Sequence, residues 1–278
     1  MTAFPFAADR AAAVITGAAA GIGAATARKL ARRGSRLALI DRDSEGLHRI
    51  ADQTRALGAT VSTHVVDITD ATALAALPET LVKTHGGAHI LVNCAGVSLI
   101  GTFTQLTLEE FQWLLDVNLW GTIAVTKTVL PLLLAQPAAH ISNISSCYGL
   151  VAPAGRTPYA TSKYAVRGFT ESLAHELEGT GVNVTVVHPG GIKTSITLNA
   201  RVAAAVPSDK AAAATRAHTA HYRTTPEAAA DAIVEGIARN RPRVLIGNDA
   251  RLLDLLARLA PAHYWKVLRR ALASSADT

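Results

Sequence analysis

The sequence is poor in cysteine, aromatic residues and charge, and each shortage excludes a class of protein. Two cysteines in 278 residues cannot form a disulfide framework, so we expect a reducing compartment and a cytoplasmic protein. Aromatic residues make up 5% of the chain, and its formal net charge of +6 comes from residues 239–270. Nucleic-acid-binding proteins instead spread cations over a surface interleaved with aromatic residues, so we expect no nucleic-acid partner.

Long uninterrupted hydrophobic segments are also lacking. The longest stretch without a charged residue, 128–155, contains Pro131, Pro137 and Pro153. Prolines inside such a segment break a single spanning helix, and we therefore expect no membrane span. Hydrophobic residues make up 49% of the chain and charged residues 17%, a composition that favours a folded domain with a sizeable core.

Seven short apolar segments alternate with Ala- and Leu-rich segments of helical period. Most of them lack polar alternation, which is typical of parallel strands covered by helices on both faces. Right-handed crossovers then predict an α/β fold, a Rossmann-type doubly wound sheet of seven parallel strands. The predicted strands are residues 13–16, 37–40, 61–66, 90–93, 141–144, 182–187 and 243–246.

The chain has neither an internal repeat nor a Gly/Ser-rich linker, so we predict a single domain over residues 1–278. An Ala-rich stretch at about 195–225 lacks a strand-like pattern and predicts a lid. The segment at about 248–278 predicts a helical C-terminal extension, because its leucines recur at helical spacing. Three uses of this basic extension stay open: packing over the cleft or a neighbouring subunit, contact with an anionic membrane surface, or completion of the core.

The first predicted strand ends in a glycine-rich turn that leads into an Ala-rich helix. Glycines let a backbone come close to a pyrophosphate, and the helix N-terminus offers unpaired N–H groups. Asp41 ends the second strand, 24 residues beyond Gly17, where a carboxylate can accept hydrogen bonds from an adenosine ribose. These features predict a dinucleotide site. The contacts expected from the turn are Thr16, Gly17, Ala19, Ala20, Gly21, Ile22 and Gly23.

Tyr159 and Lys163 lie four residues apart, so on a helix their side chains share one face. The ammonium then favours the ionised phenol and lowers its pKa. Such a phenol can give a proton to a carbonyl oxygen as a hydride arrives, or remove one from an alcohol. Ser146 follows the strand 141–144, where an open α/β sheet receives ligands, and its hydroxyl can donate to the same oxygen.

These motifs, in this order, resemble those of the short-chain dehydrogenase/reductase family over about residues 10–247. Residues 16–23 resemble its TGxxxGIG signature, and Asp67 resembles its adenine-binding aspartate. The segment 93–96 resembles its NNAG motif with cysteine in second position, and 189–194 resembles its nicotinamide-side loop. The residues that resemble its catalytic tetrad are Asn118, Ser146, Tyr159 and Lys163.

The resemblance implies an oxidoreductase that uses NAD or NADP and no metal. Tyr159 would be the general acid, and Lys163 would hold the nicotinamide ribose. Ser146 would position the carbonyl oxygen, and Asn118 would support a proton relay through a water. The family's flanking helices commonly pair between subunits, which implies a homodimer or homotetramer. The cofactor contacts implied beyond the glycine turn are Asp41, Arg42, Asp67, Ile68, Asn93, Ala95, Gly96, Tyr159, Lys163, Pro189, Gly190, Ile192 and Thr194.

The end of the second strand favours NAD over NADP as the cofactor. Asp41 repels the 2′-phosphate of NADP, and Ala20 stands where NADP-preferring relatives often carry a cation. Arg42 argues for NADP, since many such relatives have an arginine at its position. Weighing the three residues, we predict NAD.

The substrate is expected to be an apolar ketone or secondary alcohol. Two alternatives stay open. A 3-oxoacyl-carrier-protein reductase would need a basic landing site for its acidic carrier. A non-catalytic protein that senses a dinucleotide would not need Tyr159, Lys163 and Ser146 together. The wall residues that we expect are Leu99, Ile100, Val151, Ala152 and Leu198.

Overall fold

The computed structural model describes residues 11–219 and 222–274, so positions 1–10, 220–221 and 275–278 of the predicted domain, lid and extension lie outside the described residues. The strands of the described part are β1 (Ala12–Thr16), β2 (Arg36–Asp41), β3 (Val61–Val65), β4 (Ile90–Asn93), β5 (Leu99–Ile100), β6 (Ala139–Ile144), β7 (Val182–Pro189), β8 (Arg201–Val202) and β9 (Arg243–Ile246).

Seven of these strands form one parallel sheet in the order β3-β2-β1-β4-β6-β7-β9. The predicted Rossmann-type fold and its seven strands are therefore confirmed, with β7 running two residues further than expected. The chain builds the sheet outward from β1 in one direction and then from β4 in the other. The crevice between β1 and β4 is the switch point at which such sheets receive ligands.

Helices cover both faces of the sheet. They are α1 (Gly21–Ala31), α2 (Ser44–Arg55), α3 (Ala71–Ala75), α4 (Leu77–His85), α5 (Leu108–Leu115), α6 (Thr122–Leu134), α7 (Thr157–Glu176), α8 (Ser208–Thr219), α9 (Pro226–Ala238), α10 (Asn248–Leu259) and α11 (Tyr264–Ser274).

Successive strand residues enter two separate cores, which explains why the strands are apolar throughout. Ala13 and Ile15 of β1 belong to a core shared with α1, α2 and α9, whereas Val14 belongs to one shared with α4 and α6. Both layers bury apolar side chains, the main favourable contribution to folding. The two cores hold the strand ends rigidly on both sides of the switch point.

A long helical run crosses the second core. It comprises α5, a π-helical turn at Asp116–Gly121, and α6. Among the described residues this run, Leu108–Leu134, is the one helix long and apolar enough to cross a membrane. Leu114, Val125 and Val129 on it are fully buried in the protein. Core helices share this length and composition, and Val125 and Val129 belong to the second core.

The predicted lid and C-terminal extension both cover the crevice. The lid region contains β8, a strand that the sequence did not predict. It has two residues and pairs in parallel with β5. The extension is helical as predicted and folds back as α10 and α11. Its Tyr264 hydroxyl accepts a hydrogen bond from the Ala152 N–H at 3.1 Å. The extension therefore packs over the cleft.

Candidate active site

A cavity of about 1360 Å³ opens at the carboxyl ends of β1, β4, β6 and β7. It brings together most of the predicted site residues, while Thr16, Gly23, Asn93 and Asn118 lie outside its lining. The predicted residues that line it are Gly17, Ala19, Ala20, Gly21, Ile22, Asp41, Arg42, Asp67, Ile68, Ala95, Gly96, Ser146, Tyr159, Lys163, Pro189, Gly190, Ile192 and Thr194.

The turn between β1 and α1 is a cradle made of main chain. Gly17 and Gly21 have φ angles of +66° and +54°, a region that favours glycine. A Cβ atom at Gly23 would lie 2.1 Å from the Gly17 carbonyl oxygen. No side chain caps α1, and its first turn has no acidic residue. Its first N–H groups therefore suit a pyrophosphate, and the turn fits a dinucleotide.

Thr16 and Asn93 hold this cradle from outside the cavity. The Thr16 hydroxyl accepts hydrogen bonds from the N–H groups of Cys94 and Ala95 at 3.0 and 3.1 Å. The Asn93 amide donates to the side chains of Thr126 and Asn143, both at 2.8 Å. These bonds tie β1 to β4, and β4 to β6 and α6. Direct contact of the two residues with a cofactor stays a prediction.

Asp41 connects the end of β2 to the glycine turn. Its Oδ2 accepts the Ala19 N–H at 2.9 Å, and its Oδ1 accepts the Asp43 N–H at 3.0 Å. The carboxylate therefore faces the side of the cavity where an adenosine ribose would lie, and it also supports the turn. This second task could not be read from the sequence.

Arg42 and Asp67 form an exposed ion pair at the same end of the cavity. The Arg42 Nη1 lies 3.7 Å from the Asp67 Oδ2, and the Thr69 N–H and hydroxyl donate to the Asp67 Oδ1. Partial burial raises the pKa of Asp67, but the Thr69 hydrogen bonds and the Arg42 charge outweigh it, so the net shift is downward. The positive charge of Arg42 is thus paired with the carboxylate of Asp67.

Helix α7 carries Tyr159 and Lys163 on its first two turns. The Lys163 ammonium lies 5.7 Å from the centre of the Tyr159 ring, so the shared face is as predicted. Its Nζ donates to the carbonyl oxygen of Ile144, at the end of β6, at 2.9 Å. Tyr148 packs edge-on against Tyr159, with ring centres 6.1 Å apart. The phenol and the ammonium therefore lie together at the mouth of the crevice.

The predicted lowering of the Tyr159 pKa by Lys163 is wrong. Burial raises the pKa of Tyr159, although a hydrogen bond with Ser146 opposes the rise. Burial also lowers the pKa of Lys163 to about 8. The ammonium is engaged with the Ile144 carbonyl, and burial of the phenol is the largest cause of the shift in its pKa. Tyr159 is therefore a protonated phenol at neutral pH, the form that a general acid requires.

Ser146 lies two residues after β6 and is positioned by Tyr148 and His188. Its hydroxyl accepts the Tyr148 N–H at 3.1 Å and lines the same cavity as Tyr159. Its carbonyl oxygen is 2.9 Å from the Nδ1 of His188, whose pKa burial lowers to about 4. His188 is therefore neutral and donates. The sequence did not identify His188 as a residue that positions Ser146.

The neighbouring Ser145 supports α7 instead of the cavity chemistry. Its hydroxyl donates to the Lys163 carbonyl oxygen at 2.8 Å. A Cβ atom at Gly149 would meet the same hydroxyl and the same carbonyl at 2.4 and 2.8 Å. The hydrogen bond from Ser145 therefore fixes the position of the Lys163 main chain relative to the end of β6.

Asn118 lies in the π-helical turn and is fully buried. Its Oδ1 accepts the Val97 N–H at 2.8 Å, and its Nδ2 donates to the Val97 carbonyl at 3.0 Å and to Ser162 Oγ at 3.1 Å. Ser162 lies next to Lys163 on α7. Asn118 therefore clamps the loop after β4 to the catalytic helix, and its role in a proton relay stays a prediction.

The loop after β7 depends on the C-terminal extension. Pro189, Gly190, Ile192 and Thr194 all line the cavity. The Gly191 N–H donates to the Asp249 Oδ2 on α10 at 2.6 Å. The sequence did not indicate Asp249, because nothing in its neighbourhood resembles a site motif. It ties the extension to the predicted nicotinamide-side loop.

The predicted substrate wall is largely wrong. Of its five residues Ile100 lines the cavity, whereas Leu99 and Val151 are buried in the core and Leu198 is 67% exposed. Ala152 is exposed and binds the Tyr264 hydroxyl. The sequence could not show which face of each short segment turns inward. The unpredicted lining residues include Tyr148, Arg156, Val206, Tyr222, Leu252, Leu253 and Leu268.

Within the described residues no group of three or more His, Cys, Asp or Glu side chains is placed to hold a metal ion. The cysteines nearest the site, Cys94 and Cys147, are free thiols. Burial raises the pKa of each to about 12. Both thiols therefore stay protonated at neutral pH.

Comparisons with known proteins agree with this geometry. The family model for short chain dehydrogenases matches residues 11–205. A protein of Mycobacterium tuberculosis named SadH is 38% identical over 263 residues, which cover 94% of this chain and 95% of SadH. A dehydrogenase/reductase SDR family protein 7-like of Anopheles gambiae is 31% identical, over 92% of this chain and 81% of its own.

A solved structure is similar over almost the whole fold. It is a short-chain dehydrogenase/reductase from Burkholderia phymatum in complex with NAD, with 31% sequence identity and a TM-score of 0.84. The match covers 91% of this chain and 94% of that one. The chain described here therefore belongs to the short-chain dehydrogenase family and is an oxidoreductase that acts on CH–OH groups with NAD or NADP.

Proposed function

We propose that this enzyme transfers a hydride between NAD and an apolar ketone or secondary alcohol. The observation that carries the proposal is that Ser146, Tyr159 and Lys163 line one cavity, with the Lys163 ammonium 5.7 Å from the Tyr159 ring, and that the other end of this cavity is a main-chain cradle for a dinucleotide. Two hydroxyl groups thus converge where a carbonyl oxygen would bind, a few ångströms from a buried ammonium.

In the reductive direction, reduced nicotinamide supplies the hydride when it is bound. Tyr159 is a protonated phenol at neutral pH and gives its proton to the carbonyl oxygen. Ser146 donates a hydrogen bond to the same oxygen and stabilises its developing charge. Lys163 holds the nicotinamide ribose and, with a pKa of about 8, can return a proton to the phenol.

The preference for NAD is supported by the carboxylate of Asp41 on the cradle side of the cavity. A 2′-phosphate placed beside it would meet a fixed negative charge. Arg42 is paired with Asp67, so the cation that could have favoured NADP is partly neutralised.

An apolar substrate is supported by the side chains at the other end of the cavity. Ile100, Val206, Leu252, Leu253 and Leu268 line it. Such walls favour the body of an apolar ketone through loss of water-exposed apolar surface. A 3-oxoacyl-carrier-protein reductase remains the alternative within the enzyme class.

We also propose a cytoplasmic homodimer or homotetramer. Leu255 and Leu259 on α10 lie outside the cavity lining and are 53% and 76% exposed, and such apolar surface is suited to a second subunit. The exposed cations Arg251 and Arg258 lie on the same helix, so peripheral contact with an anionic membrane is the competing use. Light scattering after size exclusion and flotation with anionic vesicles distinguish the two uses.

The test of the proposed function is oxidation of NADH with a panel of apolar ketones, together with the reverse reaction on secondary alcohols. The Tyr159→Phe variant should lose about 10³-fold in kcat, a typical loss for a general acid. Its affinity for NADH should change less than twofold. Retained turnover in this variant would overturn the mechanism, and NADH binding without any turnover in the wild type would favour a dinucleotide sensor.

A further inference from the structure

Arg156 is placed where neither helix stability nor burial favours it. It is the N-cap residue of α7 and makes no side-chain capping hydrogen bond. Small polar residues are preferred at that position, and the helix dipole disfavours a cation there. The residue is also 8% exposed, although charged side chains are seldom buried without a partner. The fold therefore gives no local reason for an arginine.

The guanidinium has little compensation from the protein. Its Nη1 donates to the Ser98 hydroxyl at 3.3 Å, and none of the ion pairs in the described part of the chain includes Arg156. A guanidinium has five N–H donors. Arg156 lines the cavity, and none of its nitrogens is among the enclosed atoms without a partner. Its remaining donors therefore open onto the cavity.

The acidic residues of the cavity do not neutralise this charge. Asp41, Asp43 and Asp67 lie at the adenosine end, and Asp249 lies at the substrate end. The Oδ2 of Asp249 is engaged by the Gly191 N–H, and the residue forms none of the ion pairs. A buried cation without a counter-ion is costly to the folded protein. An anion brought by a ligand would remove that cost.

Arg156 is also close to the reacting groups. It precedes Tyr159 by three residues, and its positive charge opposes the rise in pKa that burial causes at Tyr159, Tyr148 and Tyr222. A group bound to Arg156 would therefore lie in the same cavity as a carbonyl held by Tyr159.

We propose that Arg156 binds a carboxylate of the substrate, so that the substrate is an amphiphilic oxo acid or hydroxy acid with an apolar body. The proposal rests on the proposed function and narrows its substrate class. A guanidinium pairs with a carboxylate through two parallel hydrogen bonds. Among the described lining residues Arg156 is the one guanidinium at the apolar end of the cavity, which fits a single negative charge better than the two of a phosphate.

The first test measures binding to the NADH-loaded enzyme and does not depend on turnover. The probes are sodium octanoate and octanamide, which share a chain length and differ in charge. We expect octanoate to bind about tenfold more tightly than octanamide in the wild type. In Arg156→Leu, octanoate should lose at least about tenfold in affinity, whereas octanamide should change less than twofold.

Two further variants serve as controls. Arg156→Lys keeps the charge and loses the planar fork, and should lose part of the octanoate affinity. Arg251→Leu removes an exposed cation from α10 and should leave both probes unchanged. NADH affinity and the unfolding midpoint identify a variant that has failed to fold, in which case Arg156→Lys carries the test. Equal affinity for the two probes in the wild type, or unaltered octanoate binding in both Arg156 variants, would overturn the proposal.

The second test separates this proposal from the proposed function. Reduction of 4-oxooctanoic acid is compared with that of its methyl ester and of neutral ketones. We expect the acid to have the higher kcat/KM and to lose that advantage in Arg156→Leu. Preferred turnover of the neutral compounds would reject the carboxylate site and leave the oxidoreductase intact. Octanoate binding through Arg156 without reduction of any carbonyl would reject the proposed reaction and leave the site.

Discussion

The two ends of the cavity are built in different ways. The dinucleotide end is made of main chain, since Gly17, Gly21 and Gly23 shape it and the N–H groups of α1 face it. The substrate end is made of side chains from distant parts of the chain, among them Ile100, Arg156 and the extension 248–274.

This difference explains which end the sequence reveals. A main-chain cradle restricts the residue at each position to glycine or another small residue, so the turn can be recognised without coordinates. A wall of side chains requires only that something apolar face inward, and many sequences satisfy that. The first end therefore determines the cofactor class, and the second determines the substrate.

The largest expected effect on the main-chain end of the cavity comes from substitution of Gly23. In Gly23→Ala the new Cβ would lie 2.1 Å from a main-chain oxygen, and relief of such overpacking costs about 1–3 kcal/mol. We expect NADH affinity to fall by about 10- to 100-fold, measured by fluorescence titration. Gly168→Ala is the matched control, since a Cβ there meets nothing within 4 Å. Unchanged NADH affinity in Gly23→Ala would break the idea of a rigid cradle.

The second prediction concerns Lys163, where the two ends meet. Its pKa of about 8 in the folded protein is below the ordinary 10.5, so between these pH values the unfolded chain binds more protons. Stability therefore rises with pH above about 8, by at most about 1.4 kcal/mol per pH unit. Tyr159 has a raised pKa and acts in the opposite sense above its ordinary value of 10.

The measurement compares the wild type with Lys163→Met in the absence of cofactor, by urea unfolding from pH 7 to 10. The difference between the two isolates Lys163 from the other titrating groups. We expect the free energy of unfolding of the wild type to rise relative to that of the variant from pH 8 to 10. A difference that is constant over this range would mean that Lys163 is not desolvated in the folded protein.

The sequence predicted the seven strands and the placement of Tyr159 and Lys163, because buried parallel strands and helical spacing leave periodic patterns. It missed the two-residue strands β5 and β8, which are too short to leave such a pattern. It also missed His188 and Asp249, whose roles arise from contacts between residues far apart in the chain. The Tyr159 pKa was mispredicted for a related reason, since burial depends on the whole assembled site and not on one neighbour.

The third prediction addresses cofactor choice at the cradle. In Asp41→Ala the ratio of kcat/KM for NADPH to that for NADH should rise about tenfold, because a fixed negative charge near the 2′-phosphate is removed. The same variant loses the acceptor for the Ala19 N–H, so NADH affinity should also fall. Asp41→Asn removes the charge and keeps an acceptor, and should shift the ratio with less loss of NADH affinity. An unchanged ratio in both variants would leave Asp41 as a support for the turn alone.

The smallest effect is expected at Asp249, which connects the two ends through the loop after β7. In Asp249→Ala the Gly191 N–H loses its charged acceptor. The lost hydrogen bond contributes about 1–2 kcal/mol to the stability of the loop conformation. We expect KM for NADH and for the ketone to rise by about three- to tenfold, with a smaller change in kcat, because the loop is positioned and does not react. Asp249→Asn keeps an acceptor and should recover most of the loss.

Asp254→Asn is the control on the same helix, because it weakens the pairs with Arg243 and Arg258 and should lower the unfolding midpoint without changing KM. If Asp254→Asn raised KM as much as Asp249→Ala, the extension would act through general packing and not through the Gly191 hydrogen bond.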